Sequence, residues 1–423
     1  LAWKLSVTPG TVARAYQIVT SDGLLEATIG RGTFVVDPTT ATLPARDSNW
    51  GEEEPSTYSS VVDLRSPRLP DVGQSAVLSR ILTGMAAVRA SHYLDYPMPR
   101  DDLALCQAYC EWIASPALGP INAGNIAVTS GGQNGLMISL QCCLRGDRPS
   151  VLCEELAFPG FRRTARLNRA DVAPVAMDDE GMLPDALDQA VRRTGARVLF
   201  LMPDAQNPTT AQMSLQRRLE ISDVARLHDL QIIEDNCYSV APTSLPSLYA
   251  LAPDRTWHIS SFSKSLSAGL RFGAIIAPTG LADTARLAMQ HNSFGLSRPV
   301  ADIALELMRS GEAVRLRDLV VADIDKRLKL AVNILGRHAL RWRRGLSFVW
   351  LPMPRGWRGA SFARAAEAQG ILVRTADEYS LADGRAPNAV RIALSGGISE
   401  DALNRSLLIL AGILDNPDDF LPV

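Results

Sequence analysis

One lysine of the chain is surrounded by hydroxyl groups. Lys264 stands in the segment SSFSKSLSAGLRFG, with Ser261 and Ser263 before it and Arg271 seven residues after it. A lysine amine becomes the nucleophile of a Schiff base only when it is partly desolvated. Serine hydroxyls and an arginine near such a lysine are suitable ligands for a phosphate group. The segment therefore predicts a reactive lysine beside a phosphate, and the alternative is an ordinary lysine in a polar loop.

Two glycine- or proline-containing turns follow apolar, β-prone runs elsewhere in the chain. The first, TSGGQNGL from Thr129, leads into a helix, and the N–H groups at a helix N-terminus bind phosphate well. The second, PDAQNPTT from Pro203, is a rigid loop that presents the amide of Asn207. Each could be an ordinary turn when taken singly, but both stand where an α/β sheet binds its ligands.

A third segment, IIEDNCYS, ends a buried strand with acidic residues. A carboxylate is costly to bury unless a cation or a strong donor meets it. Asp235 is therefore a candidate partner for a protonated ring nitrogen, and Tyr238 is a candidate phenol donor. The alternative for Asp235 is a helix cap.

The elements that must position these residues alternate between β-rich runs and helical patterns. From residue 61 to about 310 the apolar runs are NIAVTS, PSVLCEE, RVLFLMPD, LQIIEDN, TWHISSFS and LRFGAIIAP. Strands that are apolar on both faces and alternate with helices predict a mainly parallel α/β sheet, whose ligands lie at the carboxyl ends of the strands. Residues 311–423 predict a smaller α+β domain.

The first 38 residues predict a separate small unit. Thr8-Pro9 is a helix start, and the runs LLEAT and TFVV around IGRG predict a hairpin. Helix and hairpin together resemble the C-terminal part of a GntR-type winged helix-turn-helix, a DNA-binding domain. Residues 39–60, rich in Pro, Thr, Ser and Glu, are interpreted as a linker.

Composition narrows the class of protein. The 423 residues are 47% hydrophobic and carry a formal net charge of −2, which is typical of a soluble globular chain and argues against one that as a whole binds nucleic acid or a membrane surface. The longest apolar stretches, such as 198–202, are too short to span a membrane, and no signal peptide is visible, so a cytoplasmic location is expected. Six scattered cysteines and five separated histidines predict neither disulfides nor a metal site.

The four segments together resemble those of fold-type I pyridoxal-phosphate enzymes of the class I/II aminotransferase superfamily. With the N-terminal unit, the chain resembles the MocR subgroup of GntR regulators. The resemblance implies a large domain with a seven-stranded, mainly parallel sheet and a small α+β domain, in a homodimer. It implies that Lys264 binds pyridoxal 5′-phosphate covalently. The phosphate ligands that it implies are Ser130, Gly131, Gly132, Gln133, Ser261, Ser263 and Arg271.

The resemblance also assigns the residues around the cofactor ring and the substrate. Asn207 and Tyr238 would contact the phenolic oxygen, and Asp235 the ring nitrogen. VLCEELAFPGF places Phe158 on the ring face, where any flat aromatic side chain serves. NAVRIALSGG places Arg391 on the substrate α-carboxylate, and Asn207 is assigned to the substrate as well as to the cofactor.

Departures from the family pattern affect the geometry at the substrate more than cofactor binding. Thr210 replaces a glycine of the NPTG motif, and SAG replaces SPG before Arg271. YLDYPMPRDDLALCQAY matches loosely, and Tyr96 is the candidate to reach the phosphate of a partner subunit.

Two functions follow from the resemblance. One is an aminotransferase acting on an α-amino acid and a 2-oxo acid, with a partial DNA-binding domain. The other is a transcriptional regulator that uses the cofactor site as a sensor. Decarboxylases and Cβ–S lyases of this fold share most of these residues and stay open. A nucleotide-binding α/β protein is disfavoured because neither glycine fingerprint is present.

Overall fold

The structure of the chain is a computed structural model. It describes residues 2–4, 7–21, 25–28, 32–35, 61–86, 90–98, 102–381 and 386–416. The linker predicted for residues 39–60 lies outside the described residues. The chain divides into two compact units, Leu1–Ser59 and Ser60–Val423, and each is described by itself.

The N-terminal unit contains one helix and one hairpin. Helix α1 (Pro9–Ser21) begins at the predicted proline, and the hydroxyl of Thr8 accepts the backbone N–H of its third residue at 3.2 Å. Strands β1 (Leu25–Thr28) and β2 (Gly32–Val35) pair antiparallel. The predicted helix start and hairpin are confirmed.

The second unit carries the remaining helices and strands. The helices are α2 (Gln74–Ala86), α3 (Leu103–Ile113), α4 (Gly132–Cys143), α5 (Pro159–Leu167), α6 (Pro184–Thr194), α7 (Leu215–Leu227), α8 (Leu248–Leu251), α9 (Ala282–Ser293), α10 (Arg298–Arg309), α11 (Glu312–Leu335), α12 (Gly359–Ala368) and α13 (Glu400–Asp415). The strands are β3 (Val62–Asp63), β4 (Ile126–Thr129), β5 (Ser150–Glu154), β6 (Asp171–Val175), β7 (Met177–Asp178), β8 (Gly181–Met182), β9 (Val198–Leu201), β10 (Gln231–Asp235), β11 (Thr256–Ser261), β12 (Gly273–Ile276), β13 (Phe348–Pro352), β14 (Ile371–Leu372), β15 (Arg374–Thr375) and β16 (Ala389–Ala393).

A seven-stranded sheet forms the centre of this unit, in the order β4-β12-β11-β10-β9-β5-β6. Its ladders are parallel except those that β12 makes with β11 and β4. The predicted mainly parallel sheet is confirmed, and each of the six predicted runs contains one of its strands.

Both faces of the sheet are buried, which explains why the strands are continuous apolar runs. In β9, Val198 and Phe200 pack in the core that includes α4, α5 and α9, whereas Leu199 and Leu201 pack against α6, α7 and α8. Such strands have no solvent face, so a polar side chain inside them needs a partner, as His258 of β11 has in Glu234.

The direction of β12 decides which residues meet at the carboxyl edge. Because β12 is antiparallel to its neighbours, its amino end lies beside the carboxyl ends of β11 and β4, where Gly273 is paired with Ser261 and with Thr129. Arg271, two residues before this strand, is therefore delivered to the same edge as Lys264.

Smaller sheets lie in the C-terminal part. Strands β13, β16 and β15 form an antiparallel sheet, and β3 pairs in parallel with β14. Residues 62–63, assigned from the sequence to the large domain, are thus tied to the C-terminal region. Among the described residues, no helix has the length and apolar character needed to cross a bilayer.

Candidate active site

The predicted phosphate ligands surround the N-terminus of helix α4. Gly131 precedes the helix with φ of 87°, a left-handed conformation that favours glycine. A Cβ atom on Gly131 would stand 2.6 Å from the guanidinium of Arg271, so a side chain there would displace it. Arg271 in turn donates to the hydroxyl of Ser263 at 3.2 Å. The helix N–H groups, Arg271 and the serines of the lysine segment thus form one positively polarised cup.

Two other side chains shape this cup in ways that the sequence did not indicate. A Cβ atom on Gly132 would lie 2.4 Å from the sulfur of Cys237 and 3.6 Å from the hydroxyl of Ser261, so Cys237 packs against the first turn of α4. The side chain of Gln133 turns away and donates to the carbonyl of Gly160 at 3.3 Å. The same amide nitrogen also donates to the hydroxyl of Thr164, so the group that Gln133 would offer to a phosphate is its backbone N–H.

Lys264 lies just beyond strand β11, at the end of a single 3-10 turn over Phe262–Lys264. Its Nζ donates to the carbonyl of Pro67 at 3.4 Å and stands 5.2 Å from the ring centre of Tyr238. The Tyr238 ring meets Phe348 edge-on at 5.3 Å. Strands β10 and β11 are neighbours, and this is why Tyr238 and Lys264 meet although they are far apart in sequence.

Asp235 ends strand β10 and accepts the backbone N–H of Cys237 at 3.0 Å. Burial raises the pKa of Asp235, because desolvation disfavours its charged form. Beside it, Glu234 and His258 form a fully buried pair, with Oε2 and Nδ1 3.0 Å apart. A cation placed against Asp235 would offset the cost of burying its carboxylate.

The predicted substrate arginine and cofactor asparagine are in direct contact. Arg391, on β16, donates from Nη1 to Oδ1 of Asn207 at 2.6 Å and from Nη2 to the carbonyl of Arg65 at 2.6 Å. Its guanidinium lies 5.1 Å from the ring centre of Phe348 and 5.2 Å from that of Tyr379. Both residues are buried, so this pair is an interior part of the site.

Two donors of this pair have no partner among the described residues: Nδ2 of Asn207 and Nε of Arg391. Buried donors without acceptors cost stability, and in functional sites they mark the position of a ligand. Since Oδ1 of Asn207 faces Arg391, its Nδ2 is the group left over for an external acceptor. An arginine without a carboxylate partner offers the planar donor set that suits one.

The remaining two predicted residues differ in their placement. Phe158 stands immediately before α5, and its ring lies over Gly160 beside the amide of Gln133, next to the phosphate cup. Tyr96 is not brought into this set of contacts. It is 70% exposed and stacks on Phe294 with ring centres 4.9 Å apart.

A family model described as "Aminotransferase class I and II" matches residues 60–407. The chain belongs to this family. It is similar to an uncharacterized HTH-type transcriptional regulator, YdeF, of Bacillus subtilis (strain 168), with 26% identity over 427 residues that cover 98% of this chain and 88% of YdeF. It is also similar to 2-aminoadipate transaminase of Thermus thermophilus, with 26% identity over 358 residues, 81% of this chain and 86% of that protein.

The fold agrees with this assignment. The crystal structure of LysN, an alpha-aminoadipate aminotransferase of Thermus thermophilus complexed with N-(5′-phosphopyridoxyl)-L-leucine, superposes with a TM-score of 0.73 at 22% identity, covering 86% of this chain and 94% of that one. The predicted fold-type I architecture is confirmed, and membership of the aminotransferase family indicates pyridoxal 5′-phosphate as the cofactor.

The residues present fit that cofactor. The cup at α4 offers N–H groups and a guanidinium to a phosphate, and Asn207 has a free buried donor for the phenolic oxygen. Asp235 offers a partly buried carboxyl to the ring nitrogen. Three features of the site were not indicated by the sequence. They are the Arg391–Asn207 bond, the packing of Cys237 against α4, and the bonds that the carbonyls of residues 65 and 67 accept from Arg391 and Lys264. No local pattern signals them, because each joins segments that are distant in the chain.

Proposed function

We propose that this aminotransferase-family protein transfers the amino group of an α-amino acid to a 2-oxo acid, with pyridoxal 5′-phosphate bound at Lys264. The observation that carries the proposal is the contact between Arg391 and Asn207 at 2.6 Å. A group that recognises a substrate carboxylate is thereby linked to a group that contacts the cofactor, within a site that also holds a lysine amine.

Each side chain has a part that follows from its position. Pyridoxal phosphate, when bound, supplies an electron sink for chemistry at the substrate Cα. The cup of Ser130, Gly131, Gly132, Gln133, Ser261, Ser263 and Arg271 would hold its phosphate. Asp235 would hold a proton on the ring nitrogen, and Phe158 would cover the ring face.

Lys264 and Tyr238 act closest to the reacting carbon. Once its amine is free, Lys264 can act as a general base and take a proton from the substrate Cα. It can then act as an acid and deliver the proton to C4′ of the cofactor. Tyr238 lies beside Lys264. Its O–H group and the side-chain N–H group of Asn207 would both donate to the phenolic oxygen of the cofactor. Arg391 would bind the α-carboxylate with Asn207 beside it, and so orient the Cα–H bond towards Lys264.

A homodimer is part of this proposal. Leu94, Tyr96 and Phe294 are large apolar side chains that are 84%, 70% and 57% exposed. A second copy that covered them would remove apolar surface from water and bring Tyr96 near another molecule. Tyr96 would then contact the phosphate held by the partner subunit.

The test is a half-reaction followed by absorbance. Purified protein loaded with pyridoxal phosphate and mixed with one α-amino acid at a time should lose the absorbance of the aldehyde cofactor, and a 2-oxo acid should restore it. Lys264→Ala is the matched control and should show neither change. If no amino acid in a full panel converts the cofactor to its amine form, the transaminase proposal fails.

The second candidate, a cofactor-dependent regulator, is favoured by the N-terminal unit. Helix α1 followed by the β1–β2 hairpin has the element order of the end of a winged helix-turn-helix, and YdeF is named as a regulator of that type. In this alternative, amino-acid or cofactor binding changes the affinity for DNA. An electrophoretic mobility shift on the chain's own upstream DNA, with and without pyridoxal phosphate, tests this candidate independently of the half-reaction, because the two functions are compatible in one protein.

A further inference from the structure

The loop that carries Asn207 is held by the side chain of the preceding residue. Nε2 of Gln206 donates to Oε2 of Glu154 at 3.2 Å and to the carbonyl of Leu156 at 2.6 Å. Oε1 of Gln206 accepts the backbone N–H of Thr209 at 2.9 Å and its hydroxyl at 2.7 Å. All of these residues are buried. The amide of Gln206 thus uses both of its N–H groups and both of its lone pairs.

The orientation of this amide is determined by its neighbours. The carbonyl of Leu156 can only accept, and the backbone N–H of Thr209 can only donate. Rotation of the Gln206 amide by half a turn would place oxygen against oxygen at one end and N–H against N–H at the other. The loop is therefore locked to the end of β5 by a side chain that cannot flip.

Glu154 completes the clamp with a buried carboxyl group. It is 2% exposed, and among the described residues no cation contributes to its pKa shift. Its other oxygen lies 3.1 Å from the position that a Cβ on Gly181 would take, so the carboxyl fills the space that this glycine leaves. Burial raises the pKa of Glu154 to about 8. This shift favours the protonated form, whose carbonyl oxygen can accept from Gln206.

We propose that Glu154 and Gln206 are positioning residues, which hold Asn207 so that its free Nδ2 meets the phenolic oxygen of pyridoxal phosphate. The inference rests on the proposed function. Arg391 orients the Asn207 side chain through Oδ1, and the clamp fixes the backbone from which that side chain extends. Backbone bonds from Gln206 to Thr210 and Ala211 close the same loop. Both anchors are needed, because either alone leaves Nδ2 free to move away from its acceptor.

The experiment measures the pKa of the bound cofactor from its visible absorbance. An N–H donated to the phenolic oxygen stabilises negative charge there, and so favours loss of the proton that this oxygen shares with the lysine-bound nitrogen. Asn207→Ala should therefore raise this pKa by about one unit or more, the effect of losing a hydrogen bond to a charged group. Glu154→Ala and Gln206→Ala should raise it in the same direction by roughly half a unit.

Conservative variants separate positioning from simple loss of stability. Glu154→Gln presents the same acceptor on a neutral group, so the cofactor pKa of this variant should stay within about 0.2 units of that of the unchanged protein. Ile221→Ala, which creates a cavity in the neighbouring apolar cluster, should lower the melting temperature without moving the cofactor pKa. Thr209→Val removes one bond of the clamp and should produce a smaller rise, which is measurable even if Glu154→Ala does not fold.

The outcomes distinguish the two proposals. If the unchanged protein does not bind pyridoxal phosphate at Lys264, the proposed function itself is wrong. If Asn207→Ala raises the pKa but Gln206→Ala and Thr209→Val do not, the function stands and the positioning role is overturned. A rise with Glu154→Gln as large as that with Glu154→Ala would also overturn it.

Discussion

Replacement of Arg391 tests whether its guanidinium recognises a carboxylate. Arg391 is 3% exposed, lies between the rings of Phe348 and Tyr379, and keeps an Nε that has no partner among the described residues. Arg391→Ala removes the only charge of the pair with Asn207, so α-amino acids should bind more weakly than before. Amines that lack the α-carboxylate should lose little affinity.

The expected size follows from the bond that is lost. A charge-assisted hydrogen bond contributes about 1.5–3 kcal/mol, which corresponds to about tenfold to a hundredfold in affinity. The change also leaves Oδ1 of Asn207 without its 2.6 Å donor. The spectrum of the bound cofactor should therefore shift as well. Arg391→Lys should show a smaller spectral shift than Arg391→Ala, because a lysine ammonium group can donate to the same oxygen.

The assay compares two titrations followed by cofactor absorbance, one with an amino acid and one with its decarboxylated amine. The dissociation constant of the amino acid divided by that of the amine should rise by about tenfold to a hundredfold in Arg391→Ala. The ratio cancels general damage to the site, because both ligands need the cofactor and Lys264. An unchanged ratio would refute the assignment of Arg391 to the carboxylate.

Three further changes test the lysine, a buried ion pair and a buried acid. Lys264→Ala should abolish the adduct that borohydride traps with pyridoxal phosphate, as seen by mass spectrometry; a trapped adduct would contradict the assignment. Asp204→Ala should cost about 3–5 kcal/mol in urea unfolding, because it leaves the fully buried Arg218 without its 2.6 Å partner; a cost below about 1 kcal/mol would show that this charge is hydrated. Burial raises the pKa of Glu154 from 4.5 to about 8, so the unfolded chain loses this proton at a lower pH than the folded protein does. The free energy of unfolding should therefore fall as pH rises through that interval, by at most about 1.4 kcal/mol per pH unit. Glu154→Gln should remove this slope, and an equal slope in both proteins would mean that Glu154 is ionised in the fold.

Much of the fold could be predicted because its signals are local. Strand β9, like the other predicted runs, is apolar on both faces, and the alternation of such runs with helical patterns indicated a sheet covered on both sides. Thr8-Pro9 predicted the start of α1, since a hydroxyl cap and a proline act within one helical turn. Each predicted polar segment also stands at a strand end, where a parallel sheet binds its ligands.

The antiparallel direction of β12 could not be predicted in this way. Its apolar residues, Gly273–Ile276, would suit a parallel strand equally well. Only the tertiary structure shows that its amino end lies at the carboxyl edge, and this brings Arg271 to Gly131 and Ser263.

The residue types and their short spacings specify the chemical groups and the strand ends on which they stand. Lys264, Asp235 and Asn207 were identified in this way, from a few adjacent residues each. Which distant groups meet depends on the tertiary structure. Arg391 bonds to Asn207 and Glu154 to Gln206 across 184 and 52 residues, and burial raises the pKa of Glu154. Such contacts depend on packing the whole chain, since pairing and desolvation are properties of the folded interior and not of any local segment.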